Sequence, residues 1–323
     1  MQANVLYLSK KDVAAVGLKM KNVVEALEKM FREKGEGKVE MPPKPGIHPR
    51  KDSFIHAMPA YIPALKAAGM KWVSGFPKNP ERGLPYITGL IILNNPETGL
   101  PLVIMDCVLI TAMRTGAATA VAAKYLARPE SETVGILGCG IQGRSNLTAL
   151  SLFFPIKKVN AYDIDPDNRK KFIKEMEASR ELKIRGVERP EDAVKGCDII
   201  VTAGPILKTP HATIKSGWME EGAFASLVDY DSYWSREALN EVDKFCTDDV
   251  PQLRSHQESG YFRGIPPVYA DLGQLVTGQK PGRESSLERT MTCNLGLALD
   301  DVAAAPLVYE TAVKKGIGTW LPL

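Results

Sequence analysis

Residues 133–163 read TVGILGCGIQGRSNLTALSLFFPIKKVNAYD, and this stretch restricts the fold more than any other. A short apolar run at 134–137 enters Gly138-Cys139-Gly140-Ile141-Gln142-Gly143, which opens a helical pattern. A second apolar run at 159–162 then ends on Asp163. Strand, glycine turn, helix and acid-ended strand in this order demand a βαβ unit whose helix N-terminus faces the turn. Gly138 permits the tight turn, Gly140 lets the backbone approach a pyrophosphate, and Gly143 lets the helix pack close to the strand. The first N–H groups of the helix, at Ile141 and Gln142, then point at the phosphates. Asp163 suits an adenosine ribose and repels a 2′-phosphate, so NAD is expected, with NADP less favoured. The plainer alternative is a glycine-rich turn without a ligand, and the surrounding elements argue against it.

At 323 residues the chain has room for two domains. A formal net charge of +3 is too small to signal nucleic acid. The five cysteines (Cys107, Cys139, Cys197, Cys246, Cys293) are scattered, odd in number and form no C-x-x-C pair, so neither a disulfide framework nor a zinc site is indicated. The four histidines show no ligand spacing, and no metal is expected. A reducing, cytoplasmic setting fits. The opening residues MQANVLYLSKKDVAAV lack the apolar core of a signal peptide, and no apolar run reaches membrane-spanning length. No membrane partner is expected.

Before the glycine turn the pattern is different. A short strand at 5–8 is followed by Ser9, a good helix cap. Residues 20–34 set Val23, Val24, Leu27, Met30 and Phe31 on one helical face, with Gly35 as the expected stop. Residues 36–52 are basic, rich in Pro and Gly, and read as loop. Strands are expected at 54–62, 69–75, 87–95 and 101–107, with a hairpin turn at 95–99. The Ala-rich residues 111–127 read as a helix leading into the dinucleotide unit. Beyond 133, strands at 158–162, 182–186, 197–203, 223–229 and 244–248 alternate with helical stretches at 167–179 and 189–196. That rhythm implies a parallel sheet covered on both faces. Residues 297–316 form a last helix stopped by Gly316, which Pro306 should kink unless two helices meet there. The expected fold class is α/β: a Rossmann doubly wound parallel sheet at 119–297, plus a second, α+β domain for substrate and dimerisation from 1–118 with 298–323.

Four kinds of residue could carry chemistry. Lys71 stands in an otherwise apolar strand, where it either points outward or lines a polar pocket with a lowered proton affinity. Arg114, among small residues, suits a bidentate carboxylate clamp, although an exposed helix arginine is the commoner case. Asp229 and Asp231 follow a strand end, where open α/β sheets bind ligands; an Asx turn or helix cap is the alternative. His56 alternates within a strand and could share a cavity with Lys71, with a core or surface histidine as the ordinary reading. The basic segment with Lys44, His48, Arg50 and Lys51 is a solvated loop face from which one member could reach an anion. Thr115 and Thr202 join the glycine turn and Asp163 as expected cofactor contacts.

Taken together, MPPK (41–44), AMPAY (57–61), GMKWVSGFPKNPERGLP (69–85), IILNNPETGLPLVIMD (91–106), RTGAATAVAAKYLA (114–127), GILGCGIQG (135–143) and LGLALDDVAAAPLVYETA (295–312) resemble the ornithine cyclodeaminase/mu-crystallin family, which includes archaeal alanine dehydrogenase and ketimine reductases. The resemblance covers most of 40–165 and resumes near the C-terminus. It implies a homodimer, a Rossmann domain between two parts of a substrate domain, and a substrate carboxylate held by Lys44, Lys71 and Arg114. It also implies acid–base work by Lys71 and a side-chain amine contact by Asp229. Two departures weaken the transfer of ornithine specificity: His56 stands where cyclodeaminases carry glutamate, and Leu227-Val228-Asp229-Tyr230-Asp231 replaces a Gly-Gly-Asp-x-Pro segment, leaving open whether Asp229 or Asp231 faces the substrate.

The reading that follows is an NAD(P)-dependent enzyme acting at the Cα–N bond of a small L-amino or imino acid, ornithine cyclodeaminase-like, with hydride transfer, an imine intermediate and loss of ammonia. Alanine dehydrogenase and cyclic imine reductase are the alternatives. A non-catalytic, cofactor-dependent ligand-binding protein of crystallin type is the rival from another class.

Overall fold

The computed structural model describes residues 4–178 and 182–323. Along the chain come β1 (Asn4–Leu8), α1 (Lys10–Val16), α2 (Met20–Gly35), β2 (Gly46–Ile47), β3 (Phe54–Ile62), β4 (Ala67–Gly75), β5 (Ile87–Asn94), β6 (Pro101–Asp106) and α3 (Val108–Leu126). Next are β7 (Thr133–Leu137), α4 (Ile141–Leu150), β8 (Lys158–Tyr162), α5 (Pro166–Ala178), β9 (Lys183–Gly186), β10 (Ile199–Thr202) and β11 (Phe224–Leu227). The chain closes with α6 (Arg236–Leu239), β12 (Lys244–Thr247), α7 (Val250–Glu258), β13 (Ala270–Asp271), α8 (Leu272–Val276), β14 (Thr290–Cys293), α9 (Ala298–Lys315) and β15 (Thr319–Pro322). Two compact units result: the chain up to Arg114 with Leu297–Leu323, and Thr115–Gly296.

Among the described residues, the first unit carries a seven-stranded sheet in the order β15-β1-β6-β5-β4-β3-β2, antiparallel except for β1 beside β6. Its two faces differ. Leu6, Leu8, Met105, Ile91 and Met58 are buried beneath α1 and α9, whereas Trp72, Leu90 and Tyr7 on the opposite face stay exposed. The alternation seen in the sequence therefore sorts apolar residues onto a helix-covered face, as a period of two requires. Ser9 closes a capping box at α1, its N–H donating to Asp12 Oδ2 at 2.9 Å.

The second unit carries an eight-stranded, all-parallel sheet in the order β13-β12-β14-β11-β10-β7-β8-β9. Every residue of β10, β11, β12 and β14 is buried, as in a sheet covered on both faces. The chain crosses from one side of the sheet to the other between β7 and β10, which is the switch point of a doubly wound fold.

Several expectations needed correction. Gly35 is the last helical residue of α2, and Gly37, with φ 71°, makes the left-handed turn beyond it. Gly46–Ile47 pairs with β3 inside the expected loop, while residues 189–196 yield a single 3-10 turn, Pro190–Ala193, in place of a helix. Pro306 sits inside one continuous helix. It removes a single N–H bond, and burial of Val302, Ala303, Ala304, Ala305 and Val308 around it holds the helix together. β14 was missed because Thr290 and Thr292 break the apolar run; both hydroxyls are satisfied inside the protein, Thr290 by the Leu126 carbonyl and Thr292 by Asn294. Ser179, expected at the end of α5, lies outside the described residues.

Candidate active site

The first unit brings Lys71 and Arg114 together. In the sheet register Met58, Lys71, Ile91 and Met105 lie side by side on β3, β4, β5 and β6, so Lys71 shares the buried face with three apolar side chains. It is 1% exposed. An isolated ammonium could not stay charged there. Its partner comes from α9: Lys71 Nζ contacts Asp301 Oδ2. Arg114, on α3, donates through Nε to Asp301 Oδ1 at 3.3 Å and through Nη1 to Asp300 Oδ2 at 3.5 Å. Asp300 Oδ2 also accepts the Leu297 N–H at 2.9 Å, which caps α9. Two cations thus face two carboxylates in a buried cluster. Burial pushes the Lys71 amine below its ordinary value, Asp301 opposes that shift, and Arg114 reinforces it. The neighbouring Cys107 thiol is pushed up to about 11, chiefly by burial.

Lys44 and His56 fall on the same part of the sheet. Gly46 pairs with His56 and the Pro45 carbonyl accepts the Ala57 N–H at 3.0 Å, so the segment that follows Lys44 runs along β3, the strand neighbour of the Lys71 strand. His56 lies two residues from Met58 on one strand face, half-buried, with its ring stacked on Phe54 at 4.4 Å between centroids. Asp300 and Asp301 escaped the sequence reading. Their signal was a pair of acids in the apolar stretch LGLALDDVAAAPL, but first-turn acids are ordinary helix-start chemistry.

In the second unit the glycine turn is built as its spacing requires. Gly138 has φ 102°, and a Cβ there would stand 2.5 Å from the Ala203 carbonyl oxygen. A Cβ on Gly143 would stand 2.3 Å from the Gly138 carbonyl oxygen, so helix and turn meet without room for a side chain. Gly140 caps α4 and has nothing within 4 Å of its Cβ position, leaving a cradle open over the helix start at Ile141 and Gln142. Asp163 holds the turn from the next strand: Oδ2 accepts the Cys139 N–H at 2.7 Å and the Asn168 amide at 2.9 Å. Thr115, buried in α3, precedes Gly116, where a Cβ would come 2.5 Å from the Ser145 carbonyl oxygen, so α3 and α4 touch backbone to backbone.

Asp229 and Asp231 part company. Asp229 is buried, with Oδ1 accepting from Thr202 Oγ1 at 2.6 Å and Oδ2 from the Gly204 N–H at 2.8 Å. Burial outweighs those bonds and pushes its carboxyl up to about 7. Tyr230 between the two acids has φ 64° and is held by its hydroxyl against His256 Nε2 at 3.1 Å. Asp231 instead lines a cavity of about 140 Å³ with Lys208, Trp234, Arg236, Phe262 and Arg263. Thr202, expected at the cofactor, is thus also the residue that holds Asp229.

Among the described residues no group of His, Cys, Asp or Glu is arranged to hold a metal, and no helix is long and apolar enough to cross a membrane. All five cysteines are buried and unbridged.

A family model described as ornithine cyclodeaminase/mu-crystallin family matches residues 5–316. The chain belongs to that family. Within the ornithine cyclodeaminase/mu-crystallin family it is 38% identical over 322 residues to an alanine dehydrogenase of Archaeoglobus fulgidus, covering 97% of both chains. It superposes on the Thermococcus litoralis Delta(1)-pyrroline-2-carboxylate reductase in complex with NADH and L-proline with a TM-score of 0.88 at 36% identity, covering 98% of this chain and 99% of that one. An archaeal alanine dehydrogenase dimer with bound NAD matches with a TM-score of 0.88 at 35% identity and 99% coverage of both chains.

Proposed function

We propose that this protein is an NAD(H)-dependent enzyme that acts at the Cα–N bond of a small L-amino acid or cyclic imino acid. The buried Lys71–Asp301–Arg114–Asp300 cluster carries the reading. Desolvating two cations and two carboxylates at one place is costly, and such clusters concentrate at sites where the charges serve a ligand. The second unit fits a dinucleotide: Gly138, Gly140 and Gly143 with the Ile141 and Gln142 amides would take the pyrophosphate, Asp163 the adenosine ribose, and Thr115 and Thr202 the nicotinamide end. When bound, the cofactor supplies a hydride acceptor or donor for the substrate Cα.

The rest is the work of this chain's own side chains. Arg114, its guanidinium plane fixed by two carboxylates, clamps the substrate carboxylate with help from Lys44, and His56 borders the same region. Lys71 accepts the proton that leaves the substrate nitrogen on oxidation and returns it on reduction. Burial lowers its proton affinity, which eases return of that proton to the substrate nitrogen. Net redox chemistry, oxidative deamination or its reverse, agrees best with Asp229, because both oxygens of that carboxylate are engaged by Thr202 and Gly204. Cyclodeamination is the second reading. It is favoured by the same carboxyl standing at about 7, where it can exchange a proton with a side-chain amine at neutral pH. Asp231 then serves its own cavity.

A homodimer goes with this reading. Trp72 is 45% exposed, Leu90 38% and Tyr7 40% on one open sheet face, which a second copy would cover. A cytoplasmic setting goes with the five unbridged cysteines. The deciding experiment offers a panel of L-amino acids with NAD and with NADP, and cyclic imines with NADH, and identifies products by mass spectrometry. Net NADH formation or consumption supports the dehydrogenase and reductase branch. Ammonia and proline from ornithine without net NADH point to cyclodeamination. No turnover in any arm refutes the enzyme reading.

A further inference from the structure

One carboxylate in the buried cluster touches both working cations. Asp301 sits in the first turn of α9, wholly buried. Its Oδ2 meets Lys71 Nζ, and its Oδ1 accepts the Arg114 Nε–H at 3.3 Å. Asp300, one residue earlier, is tied instead to Arg114 Nη1 at 3.5 Å and to the Leu297 N–H that starts the helix. We propose that Asp301 is the positioning residue of the amine chemistry: it holds the proton-handling lysine and the carboxylate-clamping arginine in fixed relation and sets the lysine's proton affinity. This inference rests on the functional reading above.

Geometry carries the argument. A lysine side chain has four rotatable bonds, and an ammonium buried among Met58, Ile91 and Met105 needs a fixed counter-charge to keep one position. That counter-charge is anchored on a helix packed against β3, β4 and β5. Among the described residues, the groups that act most on the Lys71 charge are Asp301 from α9, Arg114 from α3 and the Cys107 thiol just before α3. Burial and Arg114 both favour the neutral amine, and the thiol, at about 11, is uncharged at neutral pH. Asp301 is therefore the contacting anion that favours a proton on Lys71. Because the same carboxylate also binds Arg114, a substrate carboxylate that draws on Arg114 frees more of the Asp301 charge for Lys71. Binding at one end of the substrate is thereby coupled to proton transfer at its nitrogen.

The test uses the full-length enzyme and the variants Asp301→Asn, Asp301→Glu and Asp300→Asn. The titration of Lys71 is followed by competitive acetylation with acetic anhydride across pH, with the Lys71 peptide read by mass spectrometry; the pH profile of kcat and NADH affinity are measured alongside. Asp301→Asn should move the labelling midpoint, and the matching limb of the rate profile, down by on the order of 1–3 pH units, as expected when a contacting opposite charge is removed. NADH affinity should hold. Asp301→Glu should restore most of the midpoint, and Asp300→Asn should raise KM while leaving the midpoint in place. A wild-type midpoint in Asp301→Asn overturns the proposal, and so does a shift in Asp300→Asn as large as that in Asp301→Asn. If Asp301→Asn does not fold, the other two variants still decide, since a displaced midpoint in Asp300→Asn or an unrestored one in Asp301→Glu overturns the assignment. Labelling needs no substrate, so absence of turnover would sink the functional reading while leaving this measurement able to judge Asp301.

Discussion

Two alanines three residues apart in the glycine turn should fail in opposite ways. At Gly143 a methyl group would stand 2.3 Å from the Gly138 carbonyl oxygen and 3.1 Å from Ile136 Cγ2. Neither neighbour can swing aside, because one is backbone and the other is buried in β7. Overpacking of this kind costs about 1–3 kcal/mol, which lowers Tm by about 2–4 °C per kcal/mol for a unit of this size. At Gly140 the added methyl meets nothing within 4 Å, and the extended backbone there (φ −77°, ψ −161°) is open to any residue. Gly140→Ala should therefore melt close to the wild type. The methyl would nonetheless fill the space into which a pyrophosphate must settle to reach the helix N–H groups. Losing one hydrogen bond to a charged group costs about 1.5–3 kcal/mol, or roughly a 10- to 150-fold rise in Kd. Thermal melts with and without NADH, together with calorimetric titration, separate the two effects. Wild-type NADH affinity in Gly140→Ala would show that the cradle is not the phosphate site. An unchanged melt in Gly143→Ala would show that helix and turn are not held at this spacing.

Four further outcomes are expected. Asp163→Ser should narrow the preference for NADH over NADPH and weaken NADH as well, because Asp163 also holds the Cys139 amide of the turn; a wild-type preference in direct binding measurements would refute the assignment. Arg114→Lys keeps the charge beside Asp300 and Asp301 but loses the forked geometry, so KM for the amino acid should rise sharply with NADH affinity intact; loss of NADH binding instead would discard the clamp. Lys71→Met should lower kcat by the roughly 10²–10⁴-fold typical of a positioned acid–base group in a protein that still binds NADH, and near-wild-type turnover would move the proton chemistry to Asp229. Asp229, raised to about 7 from an unfolded value of 3.8, takes up its proton more readily when folded, so its contribution to stability is full below the unfolded value and is lost as pH rises through 7; denaturant titrations from pH 4 to 8 should show that decline in the wild type and not in Asp229→Asn.

Local chemistry and long-range contact divide what could be read from the chain. The glycine turn, the strands β3 to β8, the capping of α1 and the helical face of α2 follow from neighbours within a few residues, where backbone sterics and periodicity act, and the sequence alone determined them. It also raised Lys71, as a charge in an apolar strand, and Arg114, as a guanidinium among small residues, each with an exposed side chain as the open alternative. Their partners were a different matter. Asp301 lies 187 positions from Arg114 and looks like any first-turn acid until α9 packs on the sheet and delivers it to Lys71. The different surroundings of Asp229 and Asp231 likewise come with a left-handed Tyr230 between them, which no propensity rule anticipates for an aromatic residue. Pro306 ran through a helix because the packing around it outweighed one lost hydrogen bond, and β14 hid because its two threonines find partners only in the folded core. Local rules assign elements and flag costly residues; which charge neutralises which is decided when distant elements are brought together, and that is information only tertiary structure holds.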